Sequence, residues 1–398
     1  MAPPRPPRRR RLDPGDVGLA AVTAGIREAG RASRYAAITL GLTLPGDTVL
    51  YLLLPLHAAA FGVTLPEAGV LLAVNRLVRI AGYGWVVRGY ERYGPRTACL
   101  AAALGAAAST LGYATLSGVV PLIAARLLWG LSFAALNIAT QALATADLGR
   151  AARWSGHARA IIAAGPMTGL LLGAVLATAA GPRIVFLVLS GVAVLGLPMA
   201  LLLPGGPGQT VRAARRRFGV PAPLDLWSFV QGLTLDGVFV VGLSILAAAS
   251  APKGEATLAA GAALALRYLA EIVLGTPSGL AAERWGIARS AVVVSLLCAL
   301  GFAALCGGMV WTGIVGIVLL RGMLQPLSAP LAAFIYPGGE RVPAIARLAT
   351  WRDLGAGTGP MLAGFLLPLA PTGLYAGAGA AYAAATLLLA ASLARTRD

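Results

Sequence analysis

Twelve apolar runs, each about the length needed to span a bilayer as a helix, follow one another near 36–58, 67–88, 97–117, 119–145, 158–180, 183–203, 226–249, 256–280, 290–309, 312–335, 345–369 and 372–394. No water reaches the hydrocarbon core to satisfy backbone N–H and C=O groups, so each run closes its own hydrogen bonds. The chain reads as an all-α membrane protein. Only 12% of its residues are charged, against about 25% in a soluble domain. Its 51 glycines let such helices approach closely, because packing rather than water exclusion holds them together.

The net charge is +17, carried almost wholly by arginine; Lys253 is the sole lysine. The cations are scattered over short loops, which argues for membrane topology and against a nucleic-acid partner. One alternate set of loops holds Arg88, Arg92 and Arg96; Arg150, Arg153 and Arg159; Arg284 and Arg289; Arg341 and Arg347. The termini, with Arg8 to Arg11 and Arg395 and Arg397, belong to that set, as does the stretch at 204–225 with Arg212, Arg215, Arg216 and Arg217. The opposite loops hold little beyond Arg183 and Lys253. The positive-inside rule puts both termini in the cytoplasm, and an even number of spans demands that they share a side. A multi-pass protein of a bacterial inner membrane, in contact with its lipids, is expected.

Four segments follow: 1–35, a basic cytoplasmic lead; 36–203, six helices; 204–225, a linker; 226–398, six helices and a short tail. Met1 to Asp13 is Pro- and Arg-rich with no signal-peptide core. Residues 15–34 read either as an amphipathic surface helix, with Arg27, Arg31 and Arg34 on its polar side, or as a plain lead-in. Cys99, Cys298 and Cys306 lie in apolar runs without metal-ligand spacing, and His57 and His157 form no cluster. With no nucleophile constellation and no nucleotide-binding loop, neither an enzyme, a metal nor a cofactor is expected.

The two six-helix segments echo each other. Glu91-Arg92-Tyr93-Gly94 returns as Glu283-Arg284-Trp285-Gly286. Gly41-Leu42-Thr43-Leu44 returns as Gly232-Leu233-Thr234-Leu235, Gly130 as Gly322, and Gly165-Pro166-Met167 as Gly359-Pro360-Met361. The order and near-constant offset mark an internal duplication, and an even span count per copy makes the repeats parallel.

At these motifs the chain resembles the major facilitator superfamily, over roughly residues 36–394. Gly279-Leu280-Ala281-Ala282-Glu283-Arg284-Trp285-Gly286 is similar to its loop motif, with Glu in place of Asp. The first copy keeps Glu91, Arg92 and Gly94 but has Val87 in place of the leading glycine. Arg126-Leu127-Leu128-Trp129-Gly130 and Gly165-Pro166-Met167-Thr168-Gly169 resemble the family's span-4 and antiporter span-5 motifs. The resemblance implies twelve transmembrane helices in two parallel six-helix repeats around a central cavity. It implies gate roles for Glu91, Arg92, Gly94, Gly279, Glu283, Arg284 and Gly286. It also implies a part for Arg126 in cavity polarity or proton coupling. Pro166 and Pro360, flanked by Gly165, Gly169 and Gly359, are expected to bend their helices.

Ionisable groups deep in a membrane are functional candidates by default. Asp47, Arg76, Arg79 and Arg126 fall in the first half, and Asp236, Arg267, Glu271 and Arg321 in the second. Arg76 and Arg79 share a helix face, and Arg267 and Glu271 are spaced to pair along one helix. Arg352 and Asp353 lie nearer the helix end. Asn137, Gln141, Gln231 and Gln325 are candidate cavity hydrogen-bonders; Trp129 and Tyr268 are expected to pack more than to touch substrate. Cations outnumber acids, which favours an anionic solute, while Asp47, Asp236 and Glu271 are candidate proton carriers.

The expected function is a monomeric secondary transporter of a small organic molecule. Proton-coupled antiport is the first expectation and uptake or uniport of an organic anion the alternative. A non-transporting receptor or assembly factor on the same fold is the reading from another class.

Overall fold

The computed structural model describes residues 14–207, 220–250 and 256–395. The Pro- and Arg-rich start, the linker arginines, Lys253 and Arg397 lie outside them. The first half comprises α1 (Pro14–Thr43), α2 (Pro45–Leu56), α3 (Leu65–Thr115), α4 (Val119–Ala144), α5 (Ala151–Ala180), α6 (Pro182–Val194) and α7 (Leu197–Leu201). The second comprises α8 (Pro223–Gln231), a π-helix (Gly232–Val238), α9 (Phe239–Ser250), α10 (Ala256–Trp285), α11 (Ile287–Cys306), α12 (Val310–Leu324), α13 (Ser328–Ile335), α14 (Arg341–Leu366) and α15 (Pro371–Arg395).

Among the described residues nine helical runs are long and apolar enough to cross a membrane. One, Pro66–Thr115, holds two of the expected spans, parted at Gly94, whose φ of 76° breaks the helix. Helices α10 and α14 supply the two remaining passes; the charges along them lower their hydropathy. The stretch at 15–34 is the first part of α1 and runs unbroken into the first span, so it leads in as a helix and is not a separate surface helix.

The repeated glycines pack on one another. A Cβ at Gly165 would collide with the Gly41 carbonyl, and one at Gly169 would press on Pro45. In the second half Gly359 abuts Leu233 and Gly237, while Gly355 abuts Phe229. Helices α5 and α14 both continue through their prolines. So Gly165, Gly169 and Gly359 serve close approach, and their partners carry the interruptions: Pro45, which has no N–H to donate where α1 meets α2, and the π-helix. Such π turns occur mostly at functional sites; here the π-helix carries Asp236, and Asp47 lies two residues beyond Pro45.

Bonds between the halves gather at the linker end, where α7 finishes and α8 starts. Arg153 on α5 lies 3.7 Å from Glu283 on α10. His157 Nδ1 and Thr276 Oγ1 are 2.7 Å apart. Arg341 donates to the Thr145 carbonyl. Helices α5 and α10 touch through glycine, with Gly156 against Gly275 and Gly279 against the Ala152 carbonyl.

Candidate functional site

A cavity of about 690 Å³ lies between the halves. It runs from Leu56, Leu170 and Gly261, toward the end opposite the linker, down to Tyr83, Arg159 and Leu348. Its floor is the set of bonds between α3 and α14. Tyr83 donates to Asp353 Oδ2 at 2.9 Å. Arg79 Nη2 lies 3.2 Å from Asp353 Oδ1, and Arg76 Nη1 4.0 Å from it. Arg79 also stacks over Phe133, 4.6 Å from the ring centroid.

In the first half, Pro45 opens α2 and places Asp47 in its first turn, where the helix dipole favours a carboxylate. Asp47 pairs with Arg126 and accepts from Asn75 Nδ2 at 3.2 Å. Arg126 is fully buried and also donates to the Leu71 carbonyl at 3.0 Å. It stands behind Asp47, not on the cavity wall. Its effect on the cavity therefore passes through Asp47.

In the second half, Asp236 gathers three arginines from three helices. Arg321 Nη2 approaches one carboxylate oxygen at 2.6 Å and Arg352 Nη2 the other at 2.7 Å. Arg267 Nη2 is 3.8 Å away. Arg321 bridges onward to Glu271 Oε1 at 2.5 Å. The pairing expected along α10 between Arg267 and Glu271 is not made, because each finds an opposite charge on another helix: Arg267 on the π-helix and Glu271 on α12.

Arg159 belongs to this site, not to a loop. Helix α5 starts at Ala151, so Arg159 sits more than two turns inside and lines the cavity. It makes no ion pair or hydrogen bond among the described residues. Arg352 and Asp353 are likewise central. Counting Arg126 behind Asp47, seven arginines (76, 79, 126, 159, 267, 321, 352) face four acids (47, 236, 271, 353). Unpaired polar groups on the wall are almost all donors: Arg79 Nε, Arg267 Nε, Gln325 Nε2 and the Ser328 hydroxyl. What the site lacks is acceptors and negative charge.

Asn137, Gln141, Gln325 and Tyr268 line the cavity; Gln231 and Trp129 are fully buried away from it. Trp129 packs beside Phe133. Among the described residues no group of His, Cys, Asp and Glu is placed to hold a metal ion.

The two loop motifs differ in use. Glu283 and Gly279 both engage α5. Arg284 lies in the last turn of α10, and Gly286 follows at φ 92°. In the first copy Arg92 stacks on its neighbour Tyr93 at 5.3 Å. Glu91 makes no ion pair among the described residues; burial raises its carboxyl above the ordinary carboxylate value, with Arg88 pulling the other way.

The family model described as Major Facilitator Superfamily matches residues 36–251. A crystal structure of the human organic anion transporter MFSD10 (TETRAN) is similar over 91% of this chain and 99% of that one, with a TM-score of 0.72 at 16% identity. The proton:xylose symporter XylE bound to 6-bromo-6-deoxy-D-glucose is similar over 92% and 95%, with a TM-score of 0.74 at 14% identity. At these identities the likeness concerns the fold. No curated protein sequence matches the chain.

Proposed function

The chain belongs to the major facilitator superfamily, and from that premise we propose that it carries a small organic anion across the membrane by alternating access. The observation that carries this reading is the surplus of arginine over acid on the cavity wall, with Arg159 left without an acid. A positive cavity of low dielectric concentrates anions and disfavours cations. MFSD10, which shares this fold, is an organic anion transporter, in keeping with this chemistry.

The charge bias of the loops assigns the linker end to the cytoplasm. With that end closed and the other open, the conformation is outward-facing. An anion entering from outside meets Arg76, Arg159 and Arg267. It competes with Asp353 and Asp236 for their arginines and so loosens the cavity floor. Binding energy is thereby turned into a bias toward the inward-facing state, as differential affinity requires.

Coupling to protons enters through the same pairs. Protonating Asp236 or Glu271 frees a cavity-lining arginine for the anion, so proton and anion bind together, a symport logic. The antiport expected from the span-5 motif finds less support, because its glycines have packing counterparts in α14. Counterflow in proteoliposomes tests the reading. Exchange of organic carboxylates or phosphate esters, accelerated by an inward proton gradient, is expected. Exchange of hydrophobic cations alone would overturn it.

A further inference from the structure

A second cleft, of about 820 Å³, opens at the linker end between α1 and the start of α5. Arg27, Arg31 and Arg34 line one wall, spaced so that they share a face of α1. Arg150, Arg153 and Trp154 line the other. Arg150 meets Asp147 at 3.4 Å and Arg153 meets Glu283 at 3.7 Å. Arg27, Arg31 and Arg34 make no ion pair among the described residues. Five arginines thus face two acids. Helix α5 also starts here with Arg150 as its N-cap and no capping side chain. Cations crowd a helix end whose dipole is itself positive.

That arrangement is unfavourable when empty and favourable around a bound anion. We propose that the cleft is a binding site for the phosphate headgroup of an anionic phospholipid. Its level in the membrane selects a lipid over a soluble anion. Arg34 directly precedes the apolar part of α1, and the α5 wall comes from its first two turns, so the cleft opens at headgroup height. Trp154 suits that interface, with an apolar ring and a polar N–H. Gly30 completes the fit: a Cβ there would sit 3.3 Å from the Trp154 ring. The site is separate from the central cavity, but Arg153 is common to the cleft and to the Glu283 contact. A headgroup drawing on Arg153 weakens one bond that holds the linker end shut.

The test is native mass spectrometry of the detergent-solubilised full chain, with phosphatidylglycerol and phosphatidylcholine of matched acyl chains. The wild type is expected to retain phosphatidylglycerol with a preference on the order of tenfold, since arginines near a headgroup favour the anionic lipid. R27Q/R31Q should bring the two lipids near parity, and R27K/R31K should keep the preference. R284Q/R289Q, which removes the same charge elsewhere at that end, should keep it too. The proposal is overturned if R27Q/R31Q retains the wild-type preference. It is overturned equally if R284Q/R289Q loses as much, or if inorganic phosphate alone displaces phosphatidylglycerol.

Discussion

Tyr83 and Asp353, one from each half of the chain, are joined by a 2.9 Å hydrogen bond at the floor of the cavity. Asp353 also holds Arg79 at 3.2 Å, so one carboxylate ties α14 to two residues of α3. The bond lies on the closed side of the cavity, and its loss should favour opening there. Asp353→Asn is expected to raise labelling of a cysteine introduced at Ala349, a cavity-lining position, by an impermeant thiol reagent applied from the linker side. A severalfold increase with reduced transport is expected. Tyr83→Phe should act in the same direction and less strongly, since Arg79 remains. Unchanged labelling in both variants would show that the closure rests elsewhere.

Arg159 separates binding from stability. It has no acid partner to strand, so Arg159→Gln should leave the melting temperature unchanged or raised. Removing a charge from the substrate path should at the same time raise KM for the anion by about tenfold, the worth of 1.4 kcal/mol. A fall in melting temperature with KM intact would assign Arg159 a structural role.

Asp236 behaves in the opposite way. Asp236→Asn leaves Arg321, Arg352 and Arg267 facing one another. Breaking a buried pair from one side costs about 3–5 kcal/mol. The variant should melt well below the wild type, and Asp236→Asn with Arg352→Gln should melt higher than Asp236→Asn alone. If the second substitution lowers stability further, Arg352 is not the uncompensated charge.

The two loop motifs should respond unequally. Glu283→Gln removes the contact with Arg153, a half-exposed pair worth up to about 1 kcal/mol. Glu91→Gln removes no ion pair. Gly279→Val should be the most severe, since its Cβ would meet the Ala152 backbone. Transport rates of the three variants in proteoliposomes, at matched expression, check the order Gly279→Val below Glu283→Gln below Glu91→Gln. Equal defects for the two glutamates would refute the asymmetry.

Helical passes and the repeat were legible because both are carried by residue type along the chain: lipid demands length and apolarity, and duplication leaves motifs in register. Much of the charged site was legible for the same reason, since Asp47, Arg76, Arg79, Asp236, Arg267, Glu271 and Arg321 stand out against apolar neighbours. What was hidden depends on helix ends and on partners. Arg159 reads as a loop cation until α5 is seen to begin at Ala151. Asp353 reads as peripheral because its position along α14 says nothing of α3 closing over it. The spacing of Arg267 and Glu271 describes one helix alone, whereas Arg321 and Asp236 compete for them from two others. Arg126 shows the converse: its motif was plain, but only packing reveals that it stands behind Asp47.

Gly94 alone separates the two spans of α3. A one-residue turn has no slack, so a rotation of one span passes to the other as torque and the pair moves as a lever. Each arm is about 30 Å long for twenty residues. An error of about 10° at the glycine would therefore displace the far end by about 5 Å. That is comparable to a helical turn, enough to carry Arg76 out of reach of Asp353. The gearing between the two mouths of the protein is set, on this side, by the two backbone torsions of one residue.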